Sequence, residues 1–141
     1  MKFVDDRSAL QGVTVLVVDD DFDSRELLTL TLEMYEATVV ACESVKEALA
    51  VFAQVQPQAI ISDIAMPHDD GYALIKAIRS LPAAQGRHIP AIALSAMVKQ
   101  EDQSQALYSG FDRFVKKPMD FEKLIAVLVE LLKERDENQV D

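Results

Sequence analysis

Short apolar runs alternate along this chain with longer segments of helical period. Residues 13–18 (VTVLVV), 38–42 (TVVAC), 59–62 (AIIS), 91–95 (AIALS) and 113–116 (RFVK) have the length and aliphatic, β-branched character of strands. Between and after them lie five helical patterns. The first covers about 24–35 and predicts a face made by Leu27, Leu28, Leu30, Thr31 and Met34. The second opens at Ser44, whose hydroxyl and the Glu47 carboxylate form a capping-box pattern, and it stops before Pro57. The third, 72–80, turns Leu74, Ile75 and Ile78 inward and is stopped by Leu81-Pro82. A weaker fourth, 100–109, ends at Gly110, a candidate left-handed cap. The fifth runs from Phe121 to about Lys133, capped by Asp120 and apolar at Leu124, Ile125, Leu128, Leu131 and Leu132. A β-α unit repeated five times predicts an α/β fold: a doubly wound, five-stranded parallel sheet flanked by five helices.

Composition narrows this picture. At 141 residues and 50% hydrophobic content the chain suits one domain with its own core. The lone Cys42 follows Val39-Val40-Ala41 and predicts a small, semi-buried hydrophobe. The first six residues lack a signal-peptide core, and no apolar stretch approaches the roughly 18 residues of a membrane span, so a cytoplasmic, membrane-free protein is expected. A net charge of −10 argues against direct nucleic-acid binding, which needs clustered Lys and Arg. The expected organisation is an N-terminal extension over 1–11, a folded domain over 12–133 and a polar tail over 134–141.

Right-handed crossovers gather the carboxyl ends of parallel strands on one edge, where such sheets bind ligands at the topological switch point. Asp19, Asp20, Asp63, Ser95 and Lys117 all fall at or just past those ends. Asp63 stands out, because it lies between Ile61 and Ile64 with no capping duty evident.

Taken together, Val15 to Asp21 (VLVVDDD), Asp63 to Gly71 (DIAMPHDDG), Ala93-Leu94-Ser95-Ala96 and Lys116-Lys117-Pro118 resemble the receiver domain of two-component response regulators, the CheY-like class of flavodoxin-like folds. The similarity spans about residues 12–133, and the D-x-x-M-P-x-x-D-G loop is its most specific part. It implies a signalling module, not an enzyme with turnover, in which Asp63 accepts a phosphoryl group from a phosphohistidine on a histidine kinase or phosphotransfer domain. Asp19 and Asp20, with Asp63 and the backbone carbonyl of Ala65, would hold Mg²⁺, with Mn²⁺ as a substitute. Ser95, the Ala96 amide and Lys117 would contact the phosphoryl group, Ser95 and Phe114 would act as switch residues, and a cis Lys117-Pro118 bond would aim the lysine. The downstream target would meet the face of the fourth helix, fifth strand and fifth helix, which is also compatible with a phosphorylation-dependent homodimer.

Formal charge fits that implication: three aspartates give −3 and Lys117 +1, and a divalent cation supplies the remaining +2. Within the acidic triplet, Asp21 and Asp23 are left for the loop and helix start. Tuning positions in the family correspond to Ala65 and Met97, neither able to orient a water, so a long-lived phosphorylated state is expected. His68 and His88 are expected to be exposed, and Gly71 to relieve strain at the start of the third helix. Four alternatives stay open: a Mg²⁺-dependent phosphohydrolase, disfavoured by alanine at position 65; a flavin binder, disfavoured by acids after the first strand; a purely scaffolding receiver that is not phosphorylated, disfavoured by the full acid, Ser and Lys set; and a receiver fragment of a hybrid histidine kinase.

Overall fold

The computed structural model describes residues 6–66, 70–96, 100–117 and 120–138. Its elements run β1 (Thr14–Val18), α1 (Phe22–Met34), β2 (Thr38–Cys42), α2 (Val45–Val55), β3 (Ala59–Asp63), α3 (Gly71–Arg79), β4 (Ala91–Ser95), α4 (Gln100–Ser109), β5 (Arg113–Lys116) and α5 (Phe121–Asn138). A 3₁₀ turn, Ala83–Gln85, interrupts the α3–β4 connection and was not foreseen from the sequence. All strands are parallel, in the order β2-β1-β3-β4-β5, so the chain reverses its direction of winding between β1 and β3.

Two hydrophobic layers sandwich the sheet. Leu28 and Leu32 of α1 and Leu124, Ile125, Leu128 and Leu131 of α5 cover Val15, Val17, Ile61, Ile92, Leu94 and Val115. Phe52 of α2, Leu74, Ile75 and Ile78 of α3 and Ala106 of α4 cover Leu16, Val18, Ile60 and Ala93 on the other face. The central strands β3 and β4 are buried along their whole length, which explains why they are uninterrupted by charge until Asp63.

The helix caps carry out much of the local design. Ser44 accepts the Glu47 N–H at 3.1 Å, while Glu47 reaches back past the cap to the Glu43 N–H at 2.9 Å, one residue beyond the simple capping box. Asp21 caps α1 and Asp120 caps the start of α5. Gly110 has φ +127°, and a Cβ there would lie 2.9 Å from Arg79 Cγ, so the glycine serves the close approach of α3 as well as the turn.

Three expectations are corrected or extended. The inward face of α1 is Leu28 and Leu32: of the predicted set Leu28 is buried, whereas Leu27, Leu30 and Met34 are 52, 57 and 56% exposed. The leucine run over 27–32 satisfies more than one helical face, and the sheet selects the narrower one. The last helix continues to Asn138, beyond the expected end near Lys133, and Arg113 of β5 pairs with its Glu134 at 3.0 Å and Glu130 at 3.4 Å. Finally, Leu10, within the sequence-predicted extension, is fully buried, and its N–H donates to the Tyr35 carbonyl at 3.0 Å. Arg7 stacks over the Tyr35 ring beside it. Leu10→Ala is expected to cost about 2–5 kcal/mol in urea unfolding, as for other buried leucines; a loss below about 0.5 kcal/mol would show the segment to be a surface appendage.

Candidate functional site

Strand register decides which side chains meet. Val18 pairs with Ser62, so Asp19 and Asp63 come next in adjacent strands and project to the same side. Both sit at the switch point, where no helix crosses over the strand ends. Carboxylate oxygens of Asp19, Asp20 and Asp63 lie within 4.8 Å of one another. Asp19 is fully buried and Asp63 is 7% exposed, whereas Asp20 is open to solvent.

Lys117 follows β5 and reaches across the sheet edge. Its Nζ donates to Asp19 Oδ2 at 2.9 Å and, more weakly, to Asp63 Oδ2 at 3.4 Å. Its own N–H donates to the Ser95 carbonyl at 2.9 Å, which fixes the lysine backbone to the end of β4. Burial alone would lower the lysine's pKa, but the two aspartates outweigh it and hold the ammonium above its usual range. For Asp63 the balance goes the other way: burial first, then Asp19, raise its pKa against the opposing pull of Lys117.

The backbone around Asp63 is also fixed. Buried Ser62 donates its hydroxyl to the Asp63 carbonyl at 2.8 Å, and the Ile64 N–H donates to the Leu94 carbonyl at 3.1 Å. Gly71 donates to the Ile64 carbonyl at 2.8 Å, and a Cβ at Gly71 would fall 2.5 Å from the Asp63 carbonyl oxygen. Its φ is not in the left-handed region, so close backbone approach, and not the predicted relief of strain, is what requires glycine.

Around this centre the other sequence-predicted residues are distributed as follows. Ser95 is buried at the end of β4 and Ala96 is exposed just beyond it. Ala65 is exposed in the loop after β3. Phe114, one row before Val115 on β5, is half-buried against the α2–α4 layer. Cys42 is buried with its thiol pushed up to about 12, foremost by burial, in keeping with an inert packing role. His88 is exposed. Pro67, His68, Asp69, Met97 and Pro118 lie outside the described residues, and with them the expectations about the Lys117-Pro118 bond, His68 and Met97.

Sequence reasoning missed two neighbours. Ser24 Oγ donates to Asp19 Oδ2 at 2.8 Å, and Arg25 Nη1 donates to the Asp19 carbonyl at 2.8 Å. With Asp21 as its cap and Phe22 as its first residue, α1 places Ser24 at the third helical position, facing back toward the preceding loop; a helix start expected at about 24 concealed this.

Chemically, the cluster combines a near-buried carboxylate, two further acids that can share a cation, and one lysine. These residues fit a hard divalent cation held by oxygen ligands, with Asp20 offering the solvent-facing carboxylate.

Comparison with known proteins places these features in context. The family described as Response regulator receiver domain matches residues 15–129. A protein of Leptolyngbya boryana named for the sodA1 3' region is 43% identical over 119 residues, covering 84% of this chain and 89% of that one. Response regulator MprA of Mycolicibacterium vanbaalenii is 32% identical, covering 86% of this chain but 51% of its own length. Hybrid signal transduction histidine kinase D of Dictyostelium discoideum is 30% identical, with 89% of this chain matched to 8% of the kinase. The chain therefore spans about half or less of these last two relatives. Among solved structures, a putative response regulator of Chloroflexus aurantiacus has a TM-score of 0.81 at 29% identity, covering 86% of this chain and 98% of that one. Chemotaxis response regulator CheY4 of Vibrio cholerae gives 0.78 at 28% identity, covering 84% and 98%.

The raised pKa of Asp63 has a thermodynamic consequence. A carboxyl group that holds its proton more tightly when folded weakens the fold once it ionises, so its burden is present at neutral pH and vanishes below the ordinary aspartate range. Asp63→Asn is therefore expected to raise the unfolding midpoint at pH 7 in chelator. The gain should shrink as the pH falls through the raised pKa, and an unchanged or lowered midpoint at pH 7 would refute the assignment.

Proposed function

This chain belongs to the response regulator receiver family, and on that premise we propose that Asp63 accepts a phosphoryl group from a phosphohistidine donor and that the resulting acyl phosphate changes which partner the domain binds. The convergence of Asp19, Asp20, Asp63 and Lys117 at the switch point is the observation that carries this reading. An Asp63 carboxylate oxygen forms the new P–O bond as the donor's P–N bond breaks and the imidazole leaves with the electron pair. Mg²⁺, when bound, supplies charge neutralisation for the transferring group.

The chain's own residues do the rest. Asp19 and Asp20 would hold the cation with Asp63 and the Ala65 carbonyl, while Lys117 stands close enough to Asp63 to follow the charge as it moves onto the phosphoryl oxygens. Ser95 and the Ala96 amide meet the remaining oxygens from the end of β4. Low exposure at Asp63 limits water, and Ala65 has no polar group with which to orient one, which favours a long-lived acyl phosphate. Inward movement of Ser95 and Phe114 then alters the face of α4, β5 and α5, where Tyr108 is 92% exposed.

The donor must itself approach the mouth of this pocket. Helix α1 begins there, and its outward stripe of Leu27, Leu30 and Met34 is apolar and uncovered, with Asp23, Glu26 and Glu33 around it. A helix that carries the phosphohistidine and presents apolar and basic residues suits this stripe. The relatives include both kinase-linked and response-regulator chains, which is consistent with such a donor.

Incubation with phosphorylated histidine kinases and Mg²⁺ is expected to move label onto the wild-type chain, where it persists through the time course, and to leave Asp63→Ala unlabelled. Leu30→Asp should slow transfer from the protein donor by about tenfold or more while leaving transfer from a small phosphoramidate unchanged. Equal labelling of Asp63→Ala would refute the acceptor, and equal slowing with both donors would refute the docking stripe.

A further inference from the structure

The first turn of α1 grips Asp19 at two points. Ser24 sits at the third helical position, where a side chain faces back over the turn. In a capping box that side chain would serve the cap's N–H, but here the Asp21 N–H already donates to Asp19 Oδ1 at 3.0 Å. The Ser24 hydroxyl is thereby released to donate to Asp19 Oδ2 at 2.8 Å, while Arg25 holds the Asp19 carbonyl at 2.8 Å. Asp19 Oδ2 also accepts from Lys117 at 2.9 Å, so one oxygen is shared between a hydroxyl from α1 and the ammonium from the far side of the site.

We propose that Ser24 is a positioning residue of the acid cluster: its hydroxyl fixes the Asp19 carboxylate in the one orientation from which it serves the cation site and Lys117 together. This rests on reading Asp19, Asp20 and Asp63 as a divalent-cation site. Asp19 is fully buried, so the carboxylate cannot borrow water to hold itself when a protein donor is lost. Asp20, exposed and free to adjust, has no such need. Oxygen ligands held by outer hydrogen bonds bind metal more tightly, because less orientational freedom is lost when the ion arrives. Arg25 restrains the backbone of the same residue, bridged toward Glu43 at 3.9 Å and stacked over Phe22, while Ser24 acts on the carboxylate itself, together with the Asp21 N–H and Lys117 Nζ.

The test is calorimetric titration of the whole chain with MgCl₂, alongside thermal unfolding. Ser24→Ala is expected to weaken Mg²⁺ binding about tenfold, and Ser24→Thr, whose hydroxyl can make the same bond from a half-exposed position, to stay within about twofold of wild type. Ser44→Ala, which removes the cap of α2 but no donor to Asp19, should lower the unfolding midpoint without moving Mg²⁺ affinity. Wild-type affinity in Ser24→Ala overturns the proposal, as does failure of Ser24→Thr to restore binding or an equal loss in Ser44→Ala. Absence of Mg²⁺ binding by the wild type removes the cation site and this inference together, whereas binding by the wild type with no effect of Ser24→Ala removes this inference alone.

Discussion

Two carboxylates, Asp19 and Asp63, are brought side by side and out of water by the parallel register of β1 with β3. Burial and mutual repulsion both penalise that arrangement, and the raised pKa of Asp63 expresses the penalty. What permits it is the set of donors converging from elsewhere: Lys117 from the end of β5, the Asp21 N–H and Ser24 hydroxyl from the start of α1. These donors favour Asp19 over Asp63, since Lys117 is 0.5 Å closer to the former (2.9 against 3.4 Å). Asp63 is thus the less satisfied partner of the pair, and it is the residue proposed to accept the phosphoryl group.

Helix α1 serves the site in two ways at once. Its inner residues Leu28 and Leu32 anchor it to the sheet, its first turn holds Asp19, and its outer stripe remains uncovered beside the pocket. A helix that both builds the pocket and shows an apolar surface next to it can register the approach of a protein without relaying a signal through the core. The opposite layer is built differently. Phe114 packs only partly into the α2–α4 side, and Arg113 beside it is tied to α5 through Glu130 and Glu134. A shift of Phe114 would therefore act on a strand whose neighbouring residue is clamped, which localises movement to the α4 side.

Strand runs, helix order and the acids at strand ends were legible because they follow from local pattern and from the geometry of right-handed crossovers. Asp63 could be singled out because a charge after Ala59-Ile60-Ile61-Ser62 has no local explanation. The inward face of α1 was not legible: six residues from Leu27 to Leu32 include four leucines, and only the neighbouring strand and α5 decide between faces. Leu10 was hidden by its polar surroundings, its burial depending on a carbonyl of Tyr35 that is distant in sequence. Ser24 and Gly71 act through contacts of under 3 Å or through the absence of a Cβ, and neither registers in hydrophobic periodicity. The helical continuation to Asn138 was not legible because its residues carry no apolar period and composition alone presents them as a polar tail.

The Asp63 side chain is proposed to become a mixed anhydride with phosphate when a divalent cation occupies the acid cluster. Borohydride reduction of chain treated with a phosphodonor and Mg²⁺, followed by peptide mass mapping, tests it most directly. Homoserine is expected at position 63, dependent on Mg²⁺. Reduction at another carboxylate, or at position 63 equally in chelator, would contradict it.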